Sequence, residues 1–407
     1  MRRVVITGMA GISPLGSDWQ SVSKTLKSLK NAVTYMHQWD DYRDLNTRLA
    51  APVLDFSKPA HYKRKQVRSM GRVALLSTVA AENALIDADL LNDPVLQSGR
   101  MGISFGSSAG STNAIMDFGN MLENKEVKGL NATTYIRMMS HTAPVNIGVF
   151  FGMKGRIITT SSACTSGSQG IGYAYETIKY GMQDVMIAGG AEELCPTEAA
   201  VFDTLFATSI KNDTPELSPN PFDKDRDGLV IGEGAGVLIL EEHQRAIARG
   251  ANIIAEIVGF SSNSDGQHIT RPNTETMEIA MRDALKDANL TPDAIGYTCA
   301  HGTATAQGDV AESQATYRVF GPNMPFSSLK SYMGHTLGAC GALEAWMSIE
   351  MMREGWFAPT VNLTNIDPQC GELDYIMSAV RPIQTDYIMT NNFAFGGINT
   401  SLIIKRL

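Results

Sequence analysis

Short apolar runs alternate with longer helical patterns along all 407 residues, and this alternation restricts the fold more than any other feature. Strand-length runs occupy Arg3–Thr7, Met101–Phe105, Arg156–Thr160 and Asp184–Ala188. They recur at Ile253–Gly259, Ile295–Ala300, Pro325–Ser328, Tyr387–Asn391 and Ser401–Lys405. Between them, helical periodicity covers Gln66–Ala88, Thr165–Tyr180, Thr274–Asn289, Val310–Phe320 and Ala339–Arg353. The pattern predicts an α/β fold. Gly228–Leu240 holds two apolar runs split by Gly232-Glu233-Gly234-Ala235-Gly236, which predicts a hairpin. The order of elements repeats without identity between the halves. The chain therefore reads as two similar units, residues 1–255 and 256–407.

Composition narrows the function. The formal charge is −8, which argues against a nucleic-acid binder. No apolar run reaches the roughly 18 residues that a membrane span needs. The start, Met1-Arg2-Arg3-Val4-Val5-Ile6-Thr7-Gly8, reads as a strand and turn, not a signal peptide. The five cysteines are odd in number and include no C-x-x-C pair. Neither a disulfide framework nor a metal site is expected, and reduced thiols suit a cytoplasmic protein.

One of those cysteines is placed for chemistry. Cys164 follows the strand-like run ending at Thr160 and opens the Thr165–Tyr180 helix. Free N–H groups and the positive dipole end at a helix start favour an anion. Ser161, Ser162, Ala163, Ser166 and Gly167 are small enough to let a substrate approach. Two histidines follow in glycine-containing loops, His301-Gly302-Thr303-Ala304-Thr305 and Gly334-His335-Thr336-Leu337-Gly338. Neutral imidazoles can donate hydrogen bonds to a developing oxyanion. Lys330 precedes His335 by five residues. Near the C-terminus, Phe395-Gly396-Gly397 permits a tight turn whose N–H groups could also serve an oxyanion.

Other motifs are weaker. Gly106-Ser107-Ser108-Ala109-Gly110 fits the G-x-S-x-G hydrolase pattern, but the pattern is short and the acid and histidine order it requires is not evident. Asp223-Lys224-Asp225-Arg226-Asp227-Gly228 begins like a calcium loop. Its twelfth position is Gly234 and two basic residues interrupt it. Lys63-Arg64-Lys65-Gln66-Val67-Arg68 is a basic island in an acidic chain.

Together these motifs resemble the elongating β-ketoacyl-acyl-carrier-protein synthases. The resemblance runs from Val4–Gly8 to Asn392–Asn399. It includes Ala163-Cys164-Thr165-Ser166, Ala188-Gly189-Gly190-Ala191-Glu192, His301-Gly302-Thr303, and Lys330-Ser331 with Gly334-His335. It implies a duplicated five-layered α-β-α-β-α thiolase-like fold and a dimer, either a homodimer or a heterodimer with a chain-length-factor subunit. By resemblance, Cys164 holds the acyl chain as a thioester, while His301 and His335 stabilise the enolate left when malonyl-carrier protein loses carbon dioxide. The N–H groups of Cys164 and Phe395 form the oxyanion hole beside Gly396, and Phe395 gates the acyl pocket. Lys330 and Glu312 match a supporting ion pair. Thr303 and Thr305 match contacts to the pantetheine arm. Lys63, Arg64, Lys65 and Arg68 match the segment that docks the acidic acyl carrier protein. No cofactor is implied, because the carrier brings the phosphopantetheine.

The Cys-His-His set excludes the initiating synthases, which replace one histidine with asparagine. Thiolases need a second cysteine in the C-terminal glycine loop, which Phe395-Gly396-Gly397 lacks. The gate departs from the family pattern at Ala394 and Ile398, where glycine and threonine are usual. Alanine stiffens that backbone. Glu192–Pro196 and Trp346–Trp356 are most similar to ketosynthases of aryl polyene clusters. General fatty-acid elongation is the alternative substrate. A subunit that only shapes an acyl tunnel is the non-enzyme alternative. The acyl pocket is expected near Gly106–Asn113 and Thr134–His141, drawn from both subunits.

Overall fold

The computed structural model describes residues 1–407, and ten of its strands form one continuous mixed sheet built from two equivalent sets. The first set is β1 (Val4–Ile12), β2 (Met101–Gly106), β3 (Ile157–Thr159), β4 (Val185–Glu192) and β5 (Gly234–Glu242). The second is β6 (Ala255–Ser264), β7 (Tyr297–Cys299), β8 (Pro325–Ser327), β9 (Tyr387–Ala394) and β10 (Ile398–Arg406). Their spatial orders are β3-β2-β4-β5-β1 and β8-β7-β9-β10-β6, with Asp374–Tyr375 as a short extra edge. Each strand of one set thus occupies the place of its counterpart in the other. The sets join where β1 pairs antiparallel with β6, Val4 opposite Ile257.

The helices repeat in step. They are α1 (Arg72–Asp87), α2 (Thr142–Phe151), α3 (Ser166–Lys179), α4 (Thr274–Ala288), α5 (Ala306–Phe320) and α6 (Cys340–Glu354). α3 and α6 touch each other and both strand sets, so they form the middle layer. They read as near-continuous buried sequence because apolar sheet covers them on both sides. α1 and α2 cover the outer face of the first set, and α4 and α5 that of the second. The apolar clusters follow this layering. The central one contains 39 buried residues, and clusters of 23 and 19 lie outside the first and second sets. This is the duplicated five-layered fold that the resemblance implies.

Two local expectations are corrected. Gly228–Leu240 is not a hairpin. Ile231–Gly232 pairs in parallel with Ala50–Ala51, while β5 joins the large sheet between β1 and β4. Gly234, at φ +155, lets the chain turn from one sheet into the other. Gln66–Ala88 is two helices, Arg64–Val67 and α1, separated where Gly71 takes an extended conformation as the N-cap of α1. No helix is long and apolar enough to cross a membrane.

Candidate active site

Cys164 sits on the tight turn Ala163–Thr165 between β3 and α3. Ala163 has φ +52, a left-handed conformation that costs a residue with a side chain about 1–2 kcal/mol. Hydrogen bonds hold it there. The Ser166 hydroxyl donates to the Ala163 carbonyl at 2.7 Å, and the Ser162 N–H donates to Ser166 Oγ at 3.0 Å. The strained turn thus presents the thiol while α3 begins behind it.

The two histidine loops are fixed in similar ways. Gly302 and Ala304 have positive φ, and Glu312 of α5 accepts the N–H groups of His301 and Gly302 at 2.6 and 2.7 Å. Asp309 accepts from Thr303 and Ala304 at 3.0 and 3.1 Å. Gly334, at φ +66, reverses the other loop, and a side chain there would meet the Val230 carbonyl at 2.8 Å. The His335 N–H donates to Val230 O at 2.7 Å, and the Gly232 N–H donates to His335 O at 2.9 Å. The segment misread as half of a hairpin therefore clamps this loop.

These loops bring Cys164, His301 and His335 together. His335 Nε2 lies 2.9 Å from Cys164 Sγ. The two imidazole rings are perpendicular, with centroids 5.1 Å apart. Their tautomers follow from their partners. His335 Nδ1 accepts the Leu337 N–H at 3.2 Å. His301 Nδ1 faces Lys330 Nζ at 3.1 Å and the Asn392 amide nitrogen at 3.4 Å, both of which only donate. Each ring therefore carries its proton on Nε2. Burial, reinforced by the Lys330 charge, pushes both imidazoles well below their ordinary pKa. The site holds two neutral N–H donors aimed at the space beside the thiol.

Cys164 is less acidic than its helix-start position predicts. Burial pushes the thiol up to about 11, while Lys330 and the N–H groups of Phe395 and Cys164 pull it down. The resting group is a thiol surrounded by donors that favour a thiolate as charge develops. Cys164, His301 and His335 offer ligand atoms within 4.8 Å of one another, a spacing that could hold a metal. The buried Lys330 ammonium touching His301 opposes a dication there.

The expected Lys330–Glu312 ion pair does not form. Both Glu312 oxygens are occupied by backbone N–H groups, and Lys330 pairs instead with Glu344 of α6. Glu344 also accepts from Asn392 at 2.7 Å. The sequence reading missed Glu344 and Asn392. A signal existed for Glu344, the sole charge between Cys340 and Ile349 in an otherwise apolar helix.

A cavity of about 500 Å³ opens onto the triad. Thr303 and Thr305 line it, with hydroxyls 2.9 Å apart. Phe395 also lines it and leans on Phe202, ring centroids 5.1 Å apart. Gly396, φ +92, and Gly397, φ +71, form the turn behind Phe395. Lys63, Arg64, Lys65 and Arg68 are exposed on and around the short helix Arg64–Val67. The two decoys are structural. Ser108 of the G-x-S-x-G pattern is held by Glu192, and Asp223 accepts from Thr364, Asn365 and Asp225 N–H groups.

Comparison with known proteins places the chain in a family. Family models for the β-ketoacyl synthase N-terminal and C-terminal domains match residues 1–246 and 254–364. The chain is 36% identical to 3-oxoacyl-[acyl-carrier-protein] synthase 2 of Vibrio cholerae, covering 100% of this chain and 99% of that protein. A β-ketoacyl synthase crystal structure from Burkholderia phymatum is 57% identical with a TM-score of 0.99, both chains covered in full. The ishigamide ketosynthase/chain length factor is 29% identical with a TM-score of 0.89, covering 100% of this chain and 99% of that one. Enzymes of this class need no cofactor of their own, because the carrier protein brings the phosphopantetheine. The chain belongs to the β-ketoacyl synthase family, acyltransferases that perform the β-ketoacyl-acyl-carrier-protein synthase condensation.

Proposed function

We propose that Cys164 is the nucleophile of this condensation, that His301 and His335 are its enolate-stabilising donors, and that the acyl chain extended is an aryl polyene. The observation that carries the reading is the convergence of two neutral Nε2–H donors on one buried thiol. Cys164 attacks the thioester of an acyl-carrier protein. The Cys164 and Phe395 N–H groups hold the oxyanion, and the carrier leaves as a thiol with the proton Cys164 gives up. Malonyl-carrier protein then places its thioester oxygen between the histidines. Loss of carbon dioxide leaves an enolate on that oxygen, which both Nε2–H groups stabilise. Its carbon attacks the acyl-Cys164 carbonyl. Collapse expels the Cys164 sulfur, which regains a proton, and β-ketoacyl-carrier protein departs.

Supporting roles follow. Lys330, paired with Glu344, keeps His301 as an acceptor at Nδ1, and Glu312 fixes its loop. Thr303 and Thr305 receive the pantetheine arm, and Phe395 with Gly396 forms the gate. Lys63, Arg64, Lys65 and Arg68 dock the acidic carrier. The two chain units, 1–255 and 256–407, contribute nucleophile and histidines respectively. β3 is an open sheet edge with Ile157 44% exposed, which supports a dimer formed along it, with a second copy or a chain-length-factor subunit. Five unpaired thiols suit a cytoplasmic location.

The test is a condensation assay with malonyl-carrier protein and competing saturated and aryl-enoyl primers, read by mass spectrometry of the carrier. Product mainly from the aryl-enoyl primer supports the polyene reading. Product mainly from the saturated primer assigns general fatty-acid elongation instead. Condensation by Cys164→Ala protein would overturn the nucleophile assignment.

A further inference from the structure

The wall beside Cys164 carries carboxyl groups that the condensation does not use. Glu192, at the end of β4, is 0% exposed. Its Oε2 accepts from the Ser108 N–H at 2.8 Å, the Gly338 N–H at 3.0 Å and the Ser108 hydroxyl, while its Oε1 has no hydrogen-bond partner. Glu198 lies in the first turn of the helix Pro196–Asp203. Both of its carboxyl oxygens are buried and neither has a hydrogen-bond partner. A glutamate at that helix position ordinarily accepts the N-cap N–H. Here the Cys195 N–H only pulls weakly on Glu198, out of hydrogen-bonding geometry. Burial raises the Glu192 carboxyl to about 7, and burial together with the neighbouring Glu192 charge raises Glu198 well above the usual range.

Three buried carboxyl oxygens without a donor are costly unless something supplies one. Their place in the fold says what could. Glu198 precedes Phe202 by one helical turn, so the two share a helix face. Phe202 lines the cavity at Cys164 and touches the Phe395 gate. Ala199, Phe202, Leu229 and Leu337 belong to one apolar cluster, against which Phe395 leans. Glu192 holds the Gly338 N–H directly after Leu337, and its charge is felt at Cys164. Neither carboxyl lines the open cavity, which Phe202 and Phe395 close on this side; an acyl chain that passes those two rings into the cluster would carry its far end toward them.

We propose that Glu192 and Glu198 form a polar subsite of the acyl compartment that binds a hydroxyl group carried on the acyl chain. A neutral carboxyl beside an ionised one offers one donor and several acceptors. A hydroxyl, phenolic or aliphatic, offers one donor and two lone pairs, and so matches. A plain hydrocarbon leaves the pair with only the proton they share, and an acidic chain end would be repelled. The proposal rests on the ketosynthase reading above and names the acyl class that its pocket selects.

The test uses primer pairs that differ by one oxygen: hydroxyaryl-enoyl against aryl-enoyl carrier protein, and ω-hydroxyoctanoyl against octanoyl carrier protein. The wild-type enzyme should favour the hydroxylated member by at least tenfold in kcat/KM in one pair, and the pair affected tells a phenol from an alcohol. Glu198→Leu should bring that ratio close to one, while Glu198→Gln, which keeps a donor and an acceptor, should retain part of it. Thermal unfolding of both variants identifies any loss of folding. Ratios within twofold in both wild-type pairs, with condensation proceeding, overturn the subsite and leave a carboxyl pair that merely shares a proton. If no primer condenses, even with a chain-length-factor subunit added, the proposed condensation fails instead. Calorimetric binding of the matched acyl-pantetheine amides then decides the subsite alone: a tenfold preference for the hydroxylated amide supports it, and equal affinity overturns it.

Discussion

Replacing Lys330 by methionine separates what the buried cation does for the fold from what it does for His301. Lys330 and Glu344 are each 1% exposed, and removing one partner of such a pair costs about 3–5 kcal/mol. Burial already raises the Glu344 carboxyl, so it can take a proton and soften that cost. The catalytic effect is distinct. His301 Nδ1 loses its donor at 3.1 Å and keeps only the Asn392 amide at 3.4 Å. The ring can then place its proton on Nδ1 and withdraw the Nε2–H donor. Loss of one oxyanion donor costs about 10²–10³ in rate. Lys330 also helps hold both histidines below their ordinary pKa, so its removal lets them protonate at higher pH. The assay is malonyl-carrier decarboxylation from pH 5.5 to 9. The expected result is a fall of about a hundredfold or more at neutral pH, with the acid limb of the profile moved to higher pH. Lys330→Met/Glu344→Gln should recover stability without recovering rate. Single-variant decarboxylation within threefold of wild type, with an unmoved acid limb, would refute the positioning role.

Cys164 alkylation by iodoacetamide should rise about tenfold per pH unit from 7 to 9.5, because the thiol titrates near 11, and a plateau below pH 8 would show a thiolate at rest. Burial raises Glu312 to about 8, so its contribution to stability is complete below the unfolded carboxyl value of about 4.5 and is lost as pH rises through 8. Denaturant midpoints should therefore fall between pH 7 and 8.5, a window in which unfolded histidine is already largely neutral, and Glu312→Gln should flatten that slope. Lys65→Glu/Arg68→Glu should raise KM for malonyl-carrier protein at least tenfold at low salt, and the difference should shrink as salt increases. Equal KM values at low salt would remove this patch from carrier docking.

Much of this architecture can be read from local sequence. Each of the nine strand runs expected from apolar patterning overlaps a strand of the large sheet, because most are covered on both faces and read as continuous apolar runs, the exposed edge strand β3 being the exception. The hairpin misreading at Gly228–Leu240 has the opposite cause. The two apolar runs look alike, and only distant partners, Ala50–Ala51 for one and β1 with β4 for the other, separate them. Similarly, the Cys164, His301 and His335 loops announce themselves through small residues and glycine. The partner of Lys330 does not, because Glu312 on α5 and Glu344 on α6 are both acids on helices near the same loop, and nothing local says which one meets the cation. Three-dimensional packing alone decides that Glu312 serves backbone N–H groups and Glu344 serves the cation. The resemblance supplied the ion pair and the geometry changed its member.

The central claim is that one acyl group passes from Cys164 to a malonyl-derived carbanion held by His301 and His335. A single-turnover chase tests it directly. Protein acylated on Cys164 from an isotopically labelled acyl-carrier protein is freed of excess primer and mixed with malonyl-carrier protein. The protein and carrier are then weighed by mass spectrometry. The account predicts that the label leaves Cys164 and reappears, one for one, in β-ketoacyl-carrier protein, with one carbon dioxide released per transfer. Label that stays on Cys164 or is lost to water, while malonyl-carrier protein decays only to acetyl-carrier protein, would contradict it.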